Sequence, residues 1–257
     1  MNSHEPRVMA AVALTLLDLT DLRENCTPKD IEALCDRART PYGDVAAICI
    51  QPRFVRHARS ILGTDSPVRI ATVVNFPTGV LSVAEVVEET KKAIRDGADE
   101  IDLVIPYTAL VGGNEQAVMD MISAVRDVCA PPVLLKSILE TGELKDTVLI
   151  RRASEIAIEA GSDFLKSSSG RVAVNATLEA ADVMLLAIRD SRRKVGLKPS
   201  GGIRSVAEAA LYLRLAATIM GEDWVIPSTF RFGASALLDD VLSVLANGKS
   251  IATGTGY

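Results

Sequence analysis

The chain has 257 residues, 48% of them hydrophobic, enough to bury a large core, and this length suits one α/β barrel or two small domains. Its formal net charge of −5, without a basic stripe interleaved with aromatics, argues against a nucleic-acid partner. No apolar run reaches the ~18 residues of a membrane span, and Met1 to Arg7 is too polar for a secretory signal, so a cytoplasmic protein with no membrane partner is expected.

In chain order, strands and helices alternate. Behind a short N-terminal lead-in, Leu14 to Thr20 (LTLLDLT) is a predicted strand with Asp18 inside it. Thr27 caps and Pro28 opens a helix whose Ile31, Leu34, Cys35 and Ala38 make one apolar stripe. A turn at Pro41 to Asp44 leads to a strand over Val45 to Ile50, and Phe54, Val55, Ala58, Ile61 and Leu62 mark the inner face of the next helix. The third strand is Arg69 to Val74. Ser82 to Glu85 has the pattern of a capping box, its helix stops at Gly97, and a fourth strand covers Glu100 to Ile105. Past Gly112-Gly113-Asn114, Val118, Met121, Ile122 and Val125 trace a helix that Pro131-Pro132 ends ahead of a strand over Val133 to Leu139.

A helix over Asp146 to Ala160 returns the chain to a short apolar run holding Lys166, followed by Ser167-Ser168-Ser169-Gly170. Then come a helix over Leu178 to Asp190, a strand over Lys194 to Lys198, and a second Ser-Val-Ala-Glu box at Ser205. A strand over Thr229 to Ala234 and a helix over Ser235 to Asn247 precede a Gly-rich tail from Gly248 to Tyr257, expected to be flexible. Eight strands, each followed by a helix, close most naturally into a single-domain (β/α)8 TIM barrel, with a doubly wound open α/β sheet as the alternative. The barrel is favoured because polar residues inside strands, Asp18, Cys49, Asp102, Lys136, Lys166 and Lys198, recur roughly once per βα unit of ~30 residues.

Buried lysines narrow the chemistry. An ammonium inside an apolar strand is costly without a partner, so Lys166 is either paired or used. Lys198, one strand later, would lie beside it in a closed barrel, and neighbouring cations disfavour each other's protonation. An amine freed in this way attacks a carbonyl to form a Schiff base, an electron sink for breaking an adjacent carbon–carbon bond. Asp102 is the candidate for the proton transfers. Against this stands an interior ion-pair network with no role but holding strands, which is a weak source of stability. Lys136 reads equally well as a carboxylate's partner or as a catalytic group.

Anion binding is the second constellation. Lys198-Pro199-Ser200-Gly201-Gly202-Ile203-Arg204-Ser205 sets two glycines and an arginine before a helix N-cap, and Phe232 to Ala236 repeats the arrangement. Ser169-Gly170-Arg171 would add a third wall. The four cysteines lack CxxC spacing and read as reduced core thiols; His4 and His57 have no ligand pattern, so no metal is expected. GxGxxG and GxxxxGK[ST] are absent, which removes the usual support for a nucleotide cofactor.

Leu17 to Thr20 (LDLT), Ala46 to Ile50 (AAICI), Asn75-Phe76-Pro77, Gly97 to Asp102 (GADEID), Glu140 to Lys145 (ETGELK), Phe164 to Gly170 and Lys198 to Gly202 (KPSGG) together resemble the deoxyribose-phosphate aldolases, in order and across nearly the whole chain. The resemblance implies a metal-free class I aldolase that interconverts 2-deoxy-D-ribose 5-phosphate with acetaldehyde and D-glyceraldehyde 3-phosphate, in deoxyribonucleotide catabolism. By motif, Lys166 would be the Schiff-base lysine, Lys198 the neighbour that lowers its proton affinity, and Asp102 the proton relay. Gly170, Gly201, Gly202 and Ser235 would hold the phosphate, with Arg204 and Arg171 nearby. Cys49 matches a pocket cysteine, although the residues alone read as a core thiol, and Tyr257 resembles a tyrosine tail used in proton transfer. Ala236 and Arg171 replace a serine and a lysine of close members, so weaker phosphate affinity is expected. The competing readings are an isomerase or lyase without a covalent intermediate and a silent sugar-phosphate sensor. A homodimer is left open.

Overall fold

A computed structural model describes residues 5–248. Within it, eight short apolar segments pair as parallel strands: β1 (Leu17–Asp21), β2 (Ala47–Ile50), β3 (Arg69–Val74), β4 (Glu100–Val104), β5 (Leu134–Ile138), β6 (Phe164–Lys166), β7 (Gly196–Lys198) and β8 (Phe232–Ala234). Each lies beside its neighbour in chain order, and β8 pairs back onto β1 with Leu17 opposite Phe232. Bridges from Leu197 to Phe230 and from Ser200 to Gly233 join β7 to β8. The sheet therefore closes, and the fold is a (β/α)8 TIM barrel rather than an open sheet.

The two-residue period of a strand sorts its side chains into an outer and an inner shell. Outward residues such as Leu19, Ile48, Ile101, Leu103, Leu135, Leu165 and Leu197 join the apolar core under the helices. On the inner side, β2 and β3 contribute a small apolar cluster of Ala47, Cys49, Ala71 and Val73, with Leu22 above. Beside it lies a cluster of charges: Asp18, Glu100, Asp102, Lys136, Lys166 and Lys198 are each at most 2% exposed. Register sets these charges side by side, with Asp102 opposite Lys136 and Lys166 opposite Lys198. Gly233 makes room for this packing, since a Cβ there would fall 1.9 Å from Ser200 Oγ and 3.1 Å from Lys198 Cε.

Local signals place the helices where the sequence puts them. Thr27, Ser82 and Ser205 all close full capping boxes, and Asn114, Asp146 and Thr177 cap three more helices. Several boundaries move, among them those near the two ends of the chain. Leu14 belongs to a helix, Glu5–Thr15, because Ala10, Ala13 and Leu14 share one buried helical face; β1 begins only at Leu17, and the lead-in is this helix. It packs on the helices Val206–Met220 and Leu237–Asn247, where Arg7 donates to Leu245 O at 2.7 Å and Arg214 pairs with Glu5 at 2.6 Å. The last helix starts at Leu237, leaving Ser235 and Ala236 as a turn over the strand ends. No described helix is long and apolar enough to cross a membrane.

Candidate active site

Asp102 stands at the centre of the charged interior. Its Oδ1 accepts from Lys136 Nζ at 2.7 Å, and its Oδ2 accepts from Lys166 Nζ at 2.8 Å and from Lys198 Nζ at 2.7 Å. Lys198 also pairs with Asp18 at 2.5 Å, and Lys136 with Glu100 at 2.6 Å. Arg231, which enters from just before β8, donates to Asp18 at 2.7 Å and to Glu100 at 2.9 Å. Cys49 completes the setting, its thiol 3.9 Å from Asp102 Oδ2.

These contacts decide the charge states. Burial works against the Asp102 carboxylate, but Lys136, Lys166 and Lys198 override it and hold the group well below the usual carboxylate range. Asp18 is lowered in the same way, burial being outweighed by Lys198 and Arg231. Burial also opposes the Lys198 ammonium, yet Asp102 and Asp18 keep it well above the ordinary lysine range. Lys136 is raised likewise by Asp102 and Glu100 against its own burial. Lys198 is thus a fixed cation: mutual repulsion with Lys166 does not unseat its proton, because two carboxylates hold it. Asp102 rests as a carboxylate and enters any relay as a base.

Above the cluster opens a pocket of about 600 Å³ at the C-terminal ends of the strands. Lys166, Ser169, Gly170, Arg171, Gly201, Gly202, Arg204, Ser235 and Ala236 all line it, together with Asn175 and residues 19–23 of β1 and its loop. Of the seven charged residues in the interior, only Lys166 reaches this lining. Lys166 and the three glycine-containing loops therefore share one cavity, with the remaining charges sealed beneath it.

Similarity to known proteins follows the same lines. The sequence pattern of the DeoC/LacD family aldolases matches residues 12–243. The chain belongs to this aldolase family. A deoxyribose-phosphate aldolase of Agrobacterium fabrum is 65% identical over 257 residues, covering 100% of this chain and 99% of that protein. Among solved structures, one from Toxoplasma gondii, assigned as a deoxyribose-phosphate aldolase, superposes with a TM-score of 0.88 at 26% identity over 97% of this chain and 98% of its own. One from Coccidioides immitis, assigned likewise, gives 0.80 at 26% identity over 94% and 98%.

In this aldolase the predicted trio of Lys166, Lys198 and Asp102 meets at one carboxylate oxygen. Asp18 and Lys136 join the network, and Lys136, fully buried and outside the lining, is a partner of Glu100 and Asp102. Cys49 is fully buried beside Asp102 and does not line the pocket; burial pushes its thiol up. The three loops converge as expected, but two of their N–H groups are engaged. Gly170 N donates to Ser168 Oγ at 3.0 Å and Gly201 N to Gly233 O at 3.1 Å, which leaves those of Gly202 and Ser235 unengaged among the described residues. Arg171 is anchored at the rim by Leu22 O and lies 5.8 Å over the Phe76 ring. Tyr257 lies outside the described residues.

Three participants escape the sequence reading. Glu100 shares the inward face with Asp102 at a spacing of two, which the strand period alone could have revealed. Arg231 sits in the predicted last strand, two residues before Gly233, with only that alternation as a signal. Glu140, fully buried at the end of β5, accepts from Ser168 Oγ at 2.7 Å and from Ser169 N at 3.1 Å, and so braces the loop that follows Lys166.

Proposed function

We propose that this aldolase cleaves 2-deoxy-D-ribose 5-phosphate reversibly to acetaldehyde and D-glyceraldehyde 3-phosphate through a Schiff base on Lys166. The observation that carries this reading is the position of Lys166: it alone of the interior charges lines the pocket, with Asp102 and Lys198 directly beneath it. The substrate class comes from the name carried by the Agrobacterium relative and agrees with a pocket lined by one lysine of the barrel interior and by three glycine-containing loops.

Lys166, as the free amine, attacks C1 of the open-chain sugar, and loss of water leaves an iminium. The C2–C3 bond then breaks, its electron pair flowing into the iminium to give an enamine, while the C3 hydroxyl gives up its proton and becomes the aldehyde of glyceraldehyde 3-phosphate. Protonation at C2 and hydrolysis release acetaldehyde and restore the amine. The Asp102 carboxylate, beside the reacting nitrogen, is the base that accepts and returns these protons, and the fixed Lys198 cation favours its return to the carboxylate form. Gly202, Ser235 and Arg204 hold the phosphate, with Arg171 at the rim. A role in deoxyribonucleotide breakdown in the cytoplasm, with a sugar phosphate and small aldehydes as partners, fits this chemistry.

Incubation with acetaldehyde and borohydride, followed by peptide mapping, tests the reading. A single ethyl group on Lys166 is expected. An adduct on Lys198 would exchange the two lysine roles, and a folded protein with no specific adduct would favour acid/base chemistry without a covalent intermediate.

A further inference from the structure

Six of the interior charges form a closed ring. From Asp102 the contacts run to Lys136 at 2.7 Å, on to Glu100 at 2.6 Å, to Arg231 at 2.9 Å, to Asp18 at 2.7 Å, to Lys198 at 2.5 Å, and back to Asp102 at 2.7 Å. The signs alternate at every step, so three carboxylates and three cations leave the ring neutral. Lys166 stands outside it, attached through Asp102 at 2.8 Å, its one ion-pair partner among the described residues.

We propose that Glu100 and Arg231, which touch neither Lys166 nor the pocket, are positioning residues of the reaction: by closing the ring they keep the charge beneath Lys166 balanced and hold Asp102 and Lys198 in place. The inference rests on the Schiff-base reading of Lys166. Arg231 suits the closing position because one planar fork spans two carboxylates, Nη1 on Asp18 and Nη2 on Glu100, while Nε donates to Pro227 O at 2.5 Å. Lys136 and Lys198 each bridge two carboxylates through a single nitrogen, whereas the guanidinium gives each carboxylate a nitrogen of its own. Removing any one member exposes its neighbour as a buried, uncompensated charge, and in an enclosed interior that imbalance reaches Lys166 with little screening.

Titratable and charged groups face Lys166 from nearly every side. Asp18 comes from β1, Cys49 from β2, Glu100 and Asp102 from β4, Lys136 from β5, Lys198 from β7 and Arg231 from the segment before β8, with Arg171 and Arg204 in the pocket above. β3 contributes none. Each carboxylate of the ring is matched by a cation, and deleting one partner leaves an imbalance of known sign.

The rate of borohydride-trapped adduct formation on Lys166, measured with acetaldehyde from about pH 5 to 9, reads that imbalance. Glu100→Gln leaves an excess positive charge and moves the midpoint of the rate profile to lower pH. Arg231→Gln leaves an excess negative charge and moves it to higher pH, each by about one unit. The double variant, neutral again, returns toward the wild-type midpoint. Equal midpoints in folded single variants, or shifts of the same sign, would reduce both residues to packing. Should neither single variant fold, the double variant decides: a folded protein with the wild-type midpoint supports the ring, and a displaced midpoint or a further failure to fold overturns it. No adduct in the wild-type chain would remove the Schiff-base reading and this inference with it, whereas an adduct with unshifted variants would remove only the latter.

Discussion

The floor of the pocket and its rim are made of different material. Below, Asp102, Lys198 and their partners are side-chain charges almost wholly removed from solvent, held by one another across strands. Above, Gly202 and Ser235 are exposed and offer backbone N–H groups, with Arg204 beside them. A charged floor can hold an amine and a carboxylate in fixed relation because every charge there has an opposite neighbour, while a rim of amides can take a doubly charged phosphate without crowding it. On the proposed reading, chemistry and binding fall to separate parts of one cavity, and each can be perturbed alone.

Lys166→Met is the largest test of that separation. Turnover should fall by ~10⁴-fold or more, while inorganic phosphate still binds in calorimetry. Loss of both together would merge floor and rim into one unit. Arg204→Ala should act on the rim alone, raising KM for the phosphorylated sugar by roughly tenfold with a smaller change in kcat, as expected for one charge-assisted contact. An unchanged KM would take Arg204 out of the cradle.

The mildest probe is pH. Asp18 and Asp102 have folded values below the usual carboxylate range, so their stabilisation is present above their unfolded value of about 4 and is lost as pH falls below it. Lys136 and Lys198 are raised, so theirs is present below about 10.4 and is lost as pH climbs through the folded values. Asp18, Asp102, Lys136 and Lys198 therefore add no slope to Tm between about pH 5 and 9, and in the Lys166→Met variant a marked slope across that window that persists when surface charges are screened with salt would break the picture of these four groups as permanently ionised.

The floor was far more legible than the rim. A lysine or aspartate inside an apolar strand stands out in any sequence, and Asp18, Asp102, Lys136, Lys166 and Lys198 all proved to be buried in the barrel. The rim was visible only as glycine-rich loops, because an amide looks the same at every position. That Gly170 and Gly201 direct their N–H groups back into the loops, and Gly202 does not, depends on backbone path. Leu14 misled for a related reason: a short apolar run satisfies either a strand or one face of a helix, and the packing of Ala10, Ala13 and Leu14 chose the helix.

By itself the sequence determined the alternation of strands and helices, the capped helix starts, five of the seven charges that lie inside the barrel, and the membership in an aldolase family. Tertiary structure decided how those charges are paired. Arg231 and Asp18 are 213 residues apart and meet only because β8 closes onto β1, and Lys166 faces the pocket alone only because strand register sets the other six charges below it. Periodicity and composition act over a turn or a strand, whereas a ring of ion pairs exists only once the sheet has closed.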